Sequence, residues 1–108
     1  MNSNANHLHN AFFTLKDASP ESIRDLIADC TTYLAPLDGI LFFAAGAREE
    51  ECTREVNDED FHVALTVLFE TRAAHDAYQT ADGHNRFVER NRDNWAQVRV
   101  FDSSPIAR

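Results

Sequence analysis

The spacing of apolar and polar positions changes several times along the chain, and each change marks an element. From Leu8 to Lys16 the residues alternate as in a strand, with His9, Ala11, Phe13 and Leu15 on one face and Leu8, Asn10, Phe12 and Thr14 on the other. A helix follows. Ser19 suits its N-cap, Pro20 its first position and Glu21 the positive end of its dipole. Ile23, Leu26, Ile27, Cys30, Leu34 and Leu37 form the inward stripe, Arg24, Asp25 and Asp29 the wet side, and Pro36 and Gly39 end the run.

The short apolar stretch "GILFFAAG" reads as a second strand because it is brief and aromatic. Residues 47–60 are mostly acidic and aperiodic, which predicts a solvated loop or a ragged hairpin extension. "FHVALTVLFE" predicts a central strand, with Phe61, Val63, Leu65, Val67 and Phe69 on one face and His62, Ala64, Thr66, Leu68 and Glu70 on the other. Thr71 then caps a helix with Ala74, Ala77, Tyr78 and Ala81 inward and His75 exposed. Asp82-Gly83 breaks it, and a further helical run near His84 places His84, Phe87, Asn91 and Trp95 on one face. "AQVRVFD" closes the chain as a strand, with Val98 and Val100 opposite Gln97, Arg99 and Phe101.

The order is βαββαβ, an α+β fold in which helices cover one face of a four-stranded antiparallel sheet. The domain spans residues 8–103, with a disordered tail at 1–7 and a short one at 104–108. The uncovered face carries Phe12, Leu68, Phe101 and one alternate set of "ILFF", more apolar area than a lone small domain leaves to water. Two copies packing sheet to sheet would cover it, so the expectation is a two-fold homodimer that closes a barrel, with His62 at the contact.

Composition narrows the partners. A formal charge of −8 opposes binding to nucleic acid and to anionic lipid. No apolar run is long enough to span a bilayer and no export signal is evident, which with two unpatterned cysteines predicts a reduced, cytoplasmic protein. The sequence shows no phosphate loop, nucleophile elbow or Cys/His arrangement, and it implies no cofactor. His7 and His9 form a His-x-His pair on a strand but lack a third ligand of evident spacing, so no metal is expected.

The remaining candidate chemistry surrounds His84. An imidazole can take a proton near neutral pH while the phenol of Tyr78 polarises a carbonyl oxygen, so these two are the candidate catalytic pair. The alternative is that His84 only caps its helix and Tyr78 only fills the core. His9, Phe13, Val63, Leu65, Phe87 and Trp95 would face the same interior and are the candidate ligand-binding residues.

Four segments together resemble a known family: His9 to Asp17, Phe61 to Thr71, "AYQTADGHNRFV" from Ala77 to Val88, and "WAQVRVFD" from Trp95 to Asp102. They resemble the stress-responsive A/B barrel domain, called Dabb, of the dimeric α+β barrel superfamily. The resemblance implies a ferredoxin-like protomer and a tight homodimer. The family includes stress-associated plant proteins, uncharacterised bacterial proteins and a plant polyketide cyclase that closes a ring by aldol condensation. The cyclase's pocket Tyr and His in a Tyr-x5-His segment correspond to Tyr78 and His84, and its first-strand histidine to His9. Val63 stands where that cyclase has another histidine, and Ala81-Asp82-Gly83-His84 replaces its His-Pro-x-His. Three readings of function follow: a protein binding a small apolar or aromatic molecule between sheet and helices, a cyclase-like lyase using His84 and Tyr78, and a structural stress protein with a filled interior.

Overall fold

A computed structural model describes residues 6–106, and it has the βαββαβ order read from the sequence. The strands are β1 (His7–Leu15), β2 (Ile40–Ala47), β3 (Val63–Phe69) and β4 (Trp95–Ser103). The helices are α1 (Pro20–Asp29), α2 (Arg72–Thr80) and α3 (Asp82–Asn91). The strands form one antiparallel sheet in the order β2-β3-β1-β4, the ferredoxin-like arrangement. β1 starts at His7, inside the stretch read as a tail, and residues 1–5, 107 and 108 lie outside the described part.

Strict alternation in β1 and β3 builds the covered face. Phe13, Leu15, Val63, Leu65, Val67 and Phe69 are buried there, and so are His7 and His9. Leu26, Cys30 and Leu34 close over them from above, with Ile23, Ile27 and Leu37 at the margin. The Ser19 hydroxyl accepts from the Ser22 N–H and caps α1 as its sequence implies. Beyond Asp29 the helix widens into a π turn, Cys30–Leu34, in which the Ala35 N–H reaches the Cys30 carbonyl.

Four details depart from the sequence reading. The chain bends at His62, so the alternation slips by one. Phe61 therefore joins Phe12 and Phe101 on the open face, with ring centroids 5.2 and 5.8 Å from Phe12 to Phe61 and to Phe101. His62 turns the other way, accepts the Leu15 N–H at 3.0 Å and lies beside Ala18, Pro20 and Ile23, away from the open face. In β2 the register shifts between Ile40 and Phe42, which leaves Leu41 exposed and aims Phe42 outward beside Leu68.

The other two departures concern the second helical region. Asp82 and Gly83 do not break it but form the first turn of α3, and the break is Ala81, whose backbone is extended. A Cβ on Gly83 would lie 2.6 Å from the Tyr33 carbonyl oxygen, so the glycine lets α3 press against the π turn. The inward stripe of α2 is Ala74, His75 and Tyr78, whereas Ala77 is exposed. Thr71, whose hydroxyl accepts the Ala74 N–H, sets that rotation and turns His75 onto β1.

Candidate ligand cavity and histidine cluster

Between the sheet and the α2–α3 corner lies a cavity of about 370 Å³. Each strand delivers residues to it through its two-residue period: His9, Ala11 and Phe13 from β1, Leu65 from β3, Trp95, Val98 and Val100 from β4. Tyr78 stands seven residues after the α2 cap, and His84 sits in the first turn of α3, with ring centroids 5.1 Å apart edge to face. Of the sequence candidates, His84, Tyr78, His9, Phe13, Leu65, Phe87 and Trp95 all reach the cavity wall. Val63 does not; it is fully buried in the core beside it.

The cap of α3 is Ala81, which has no side chain to bond, so His84 is not the cap. Among the described residues neither His84 nor Tyr78 hydrogen-bonds a protein group through its side chain. Burial pushes the Tyr78 phenol well above its ordinary range, so it remains a hydrogen-bond donor at any physiological pH. Burial likewise lowers the affinity of His84 for a proton, with His9 and His75 nearby adding to the effect. At neutral pH its ring offers one donor and one acceptor. Cys30, by contrast, is sealed in the core with its thiol pushed up to about 12 by burial, and is chemically inert. Both cysteines are free.

One end of the cavity is polar, and the sequence reading did not anticipate it. His7 Nε2 lies 2.9 Å and His9 Nδ1 2.7 Å from the same Asp102 oxygen, Oδ1, with His75 Nε2 at 3.5 Å. The His7 and His75 rings stack at 4.1 Å. A carboxylate can only accept, so His9 carries its proton on Nδ1 and leaves Nε2 as an acceptor. Burial lowers the His9 pKa more than Asp102 raises it. At Asp102 burial opposes ionisation, but the bonds from His7 and His9 outweigh it and hold the carboxyl below its usual range. The ligating atoms of His7, His75 and Asp102 all lie within 4.8 Å of one another. Two signals could have revealed this cluster: Asp102 has the same parity as Val98 and Val100, and His75 stands three residues before Tyr78.

The family model of the Stress Responsive A/B Barrel Domain, Dabb, matches residues 8–105. The chain belongs to the Dabb family. Solved structures show the same fold. A Dabb family protein from Mesorhizobium loti with a ferredoxin-like fold is 22% identical with a TM-score of 0.78, over 95% of this chain and 99% of that one. A dimeric ferredoxin-like protein of unknown function from Thermobifida fusca is 15% identical with a TM-score of 0.80, over 97% and 95%. A hydroxynitrile lyase from Passiflora edulis is 16% identical with a TM-score of 0.76, over 95% of each chain. No curated protein matches this Dabb chain in sequence. Among the described residues no helix is long and apolar enough to cross a membrane.

Proposed function

We propose that this Dabb protein is a homodimer whose protomers each bind one small apolar or aromatic molecule between sheet and helices. The observation that carries the reading is an apolar cavity of about 370 Å³ with the unpartnered polar ends of His84 and Tyr78 at its wall. That volume is at the small end of ligand pockets, where a few converging polar groups orient a mainly apolar occupant. A phenol held protonated and an imidazole held neutral suit a carbonyl or hydroxyl oxygen. A cavity of this size argues against the filled interior of a purely structural protein.

The homodimer rests on the open sheet face, where Phe42, beside Leu68, and Phe101, beside Phe12, are 55% and 54% exposed. The dimeric state of the Thermobifida fusca neighbour supports it. The net charge of −8 fits no nucleic-acid or membrane partner, and free cysteines fit a cytoplasmic protein.

Trp95 is the single tryptophan of the chain and lines the cavity, so its emission reports occupancy. Titration with a panel of small aromatic aldehydes and ketones is expected to change Trp95 emission, with affinity falling about tenfold in His84→Ala through loss of one hydrogen bond. If the wild type shows no change, or His84→Ala binds equally well, the binding reading fails.

A second reading is a lyase or cyclase in which His84 removes a proton and Tyr78 donates to the substrate carbonyl oxygen. The adjacency of the two rings favours it, and the hydroxynitrile lyase neighbour suggests a substrate class to try, a cyanohydrin. His84 takes the hydroxyl proton, Tyr78 donates to that oxygen as it becomes a carbonyl, and the C–CN bond breaks with cyanide leaving as HCN on the proton from His84. Turnover that His84→Ala abolishes while binding persists would establish this reading; binding without turnover would return the protein to the first.

A further inference from the structure

We propose that His7, His75 and Asp102 form a binding site for one divalent first-row transition ion of the zinc type, opening onto the apolar cavity. The sequence offered no third ligand for the His7-x-His9 pair. The fold supplies two, His75 from α2 and Asp102 from β4.

The spacing suits such an ion. Ligand atoms around a tetrahedral zinc with bonds of ~2.0–2.1 Å are roughly 3.3 Å apart. Here the His7 Nε2 and His75 Nε2 distances to Asp102 Oδ1 are 2.9 and 3.5 Å, on either side of that separation. Two imidazoles and a carboxylate favour zinc-like ions over magnesium or calcium, which prefer an all-oxygen shell.

The proton arrangement points the same way. His75 Nδ1 is 3.0 Å from the Asp76 carboxylate, which can only accept, so that nitrogen carries the proton. Nε2 is therefore a lone pair, and the Gln79 amide nitrogen, 3.2 Å away, donates to it. Asp102 Oδ1 lies 3.5 Å from the same nitrogen. No proton lies between these two acceptors, and a cation placed there bonds both. His7 Nε2 donates to that oxygen when no ion is bound, so ligation requires the His7 proton to move to Nδ1, the ion taking its place on Nε2.

The supporting groups are those that a metal site needs. Asp76 fixes the His75 tautomer and is itself held by Arg72 at 2.9 Å, while His9 donates to the ligating carboxylate at 2.7 Å. His75 and Asp102 both line the cavity, so the remaining coordination positions face it and can take water or an oxygen of a cavity-bound molecule.

The test is titration of the untagged full chain with Zn²⁺ alone by calorimetry, and with Co²⁺ followed by its visible absorption. The expected result is one ion per chain at micromolar concentration, with binding weakened more than about tenfold in His75→Gln and Asp102→Asn and about tenfold in Asp76→Asn. His62→Gln, remote from the cluster, is expected to bind as the wild type does. Circular dichroism checks each variant, and His75→Gln decides if Asp102→Asn does not fold. The proposal is overturned if the wild type binds no ion, if binding survives both ligand substitutions, or if a cobalt–thiolate band places the ion on Cys52. Because no organic ligand is used, the outcome is independent of whether the cavity binds an aromatic molecule.

Discussion

The two faces of the sheet are made by the same strands and the same alternation, yet they do opposite things with aromatic and polar residues. On the helix-covered face, histidines are buried around one carboxylate and aromatic rings border a cavity. On the open face Phe12, Phe61 and Phe101 cluster in the open, rimmed by the Arg99–Asp58 ion pair. Burial of imidazole costs free energy unless its nitrogens are paired, so the covered face accepts that cost where groups can be put to use. The open face carries little that could do chemistry and much that water should not touch, which is the composition of a contact surface.

Matching substitutions on the two faces separate these roles. The largest effect is expected on the covered side, where Phe69 is fully buried: Phe69→Ala should lower unfolding free energy by about 3–5 kcal/mol at any protein concentration. Denaturant unfolding at two concentrations checks this, and a loss under about 1 kcal/mol would show that the core is not where the stability lies. On the open side, Phe101→Asp should weaken self-association at least about 100-fold by placing a charge in an apolar contact. Sedimentation equilibrium should then find a folded monomer. A wild-type chain that sediments as a well-folded monomer at micromolar concentration would remove the contact surface altogether.

A smaller effect is expected where α3 meets the π turn. Gly83→Ala puts a methyl 2.6 Å from the Tyr33 carbonyl and should cost about 1–3 kcal/mol, while moving His84 off the cavity wall. Melting temperature and Trp95 emission should change together; an unaltered variant would mean that the corner yields freely.

The smallest is a pH effect. The proton affinity of His84 is lowered by burial and by His9 on β1 and His75 on α2, and Tyr78 packs against its ring. Its folded pKa lies below the unfolded value, so the stability tied to it is present above the ordinary imidazole range and is lost as pH falls through the lowered value. Between pH 7.5 and 5.5 the wild type should lose more stability than His84→Gln, the difference isolating His84 from the other histidines. Equal losses would show that His84 is as easily protonated folded as unfolded.

How legible these features were depended on the range of the signal. The alternation of β1 and the caps Ser19 and Thr71 are local patterns that the structure repeats, with the strand starting and ending one residue earlier than read, at His7 and Leu15. Errors arose where one bend or one turn of rotation was at stake. The bend at His62 exchanged the faces of Phe61 and His62, because a strand's two-residue period turns a slip of one into a change of side. On α2, a stripe of alanines suggested an inward face that the Thr71 cap rotates away from, exposing Ala77 and hiding His75. Seven of the eight candidate site residues share a wall because face parity and helical spacing are local rules; Val63 obeys the same parity but is covered by core packing.

From its pattern alone the chain determined the order of its elements, the covered and open faces, and the meeting of Tyr78 with His84 across a short break. Those follow from periodicity and capping, which act within a few residues. The cavity and the gathering of His7, His9 and His75 on Asp102 were decided only in three dimensions. Asp102 is 93 residues from His9, and the two meet because β4 pairs with β1 in a register that sets them side by side. No local rule specifies that register; it follows from packing the whole sheet beneath its helices.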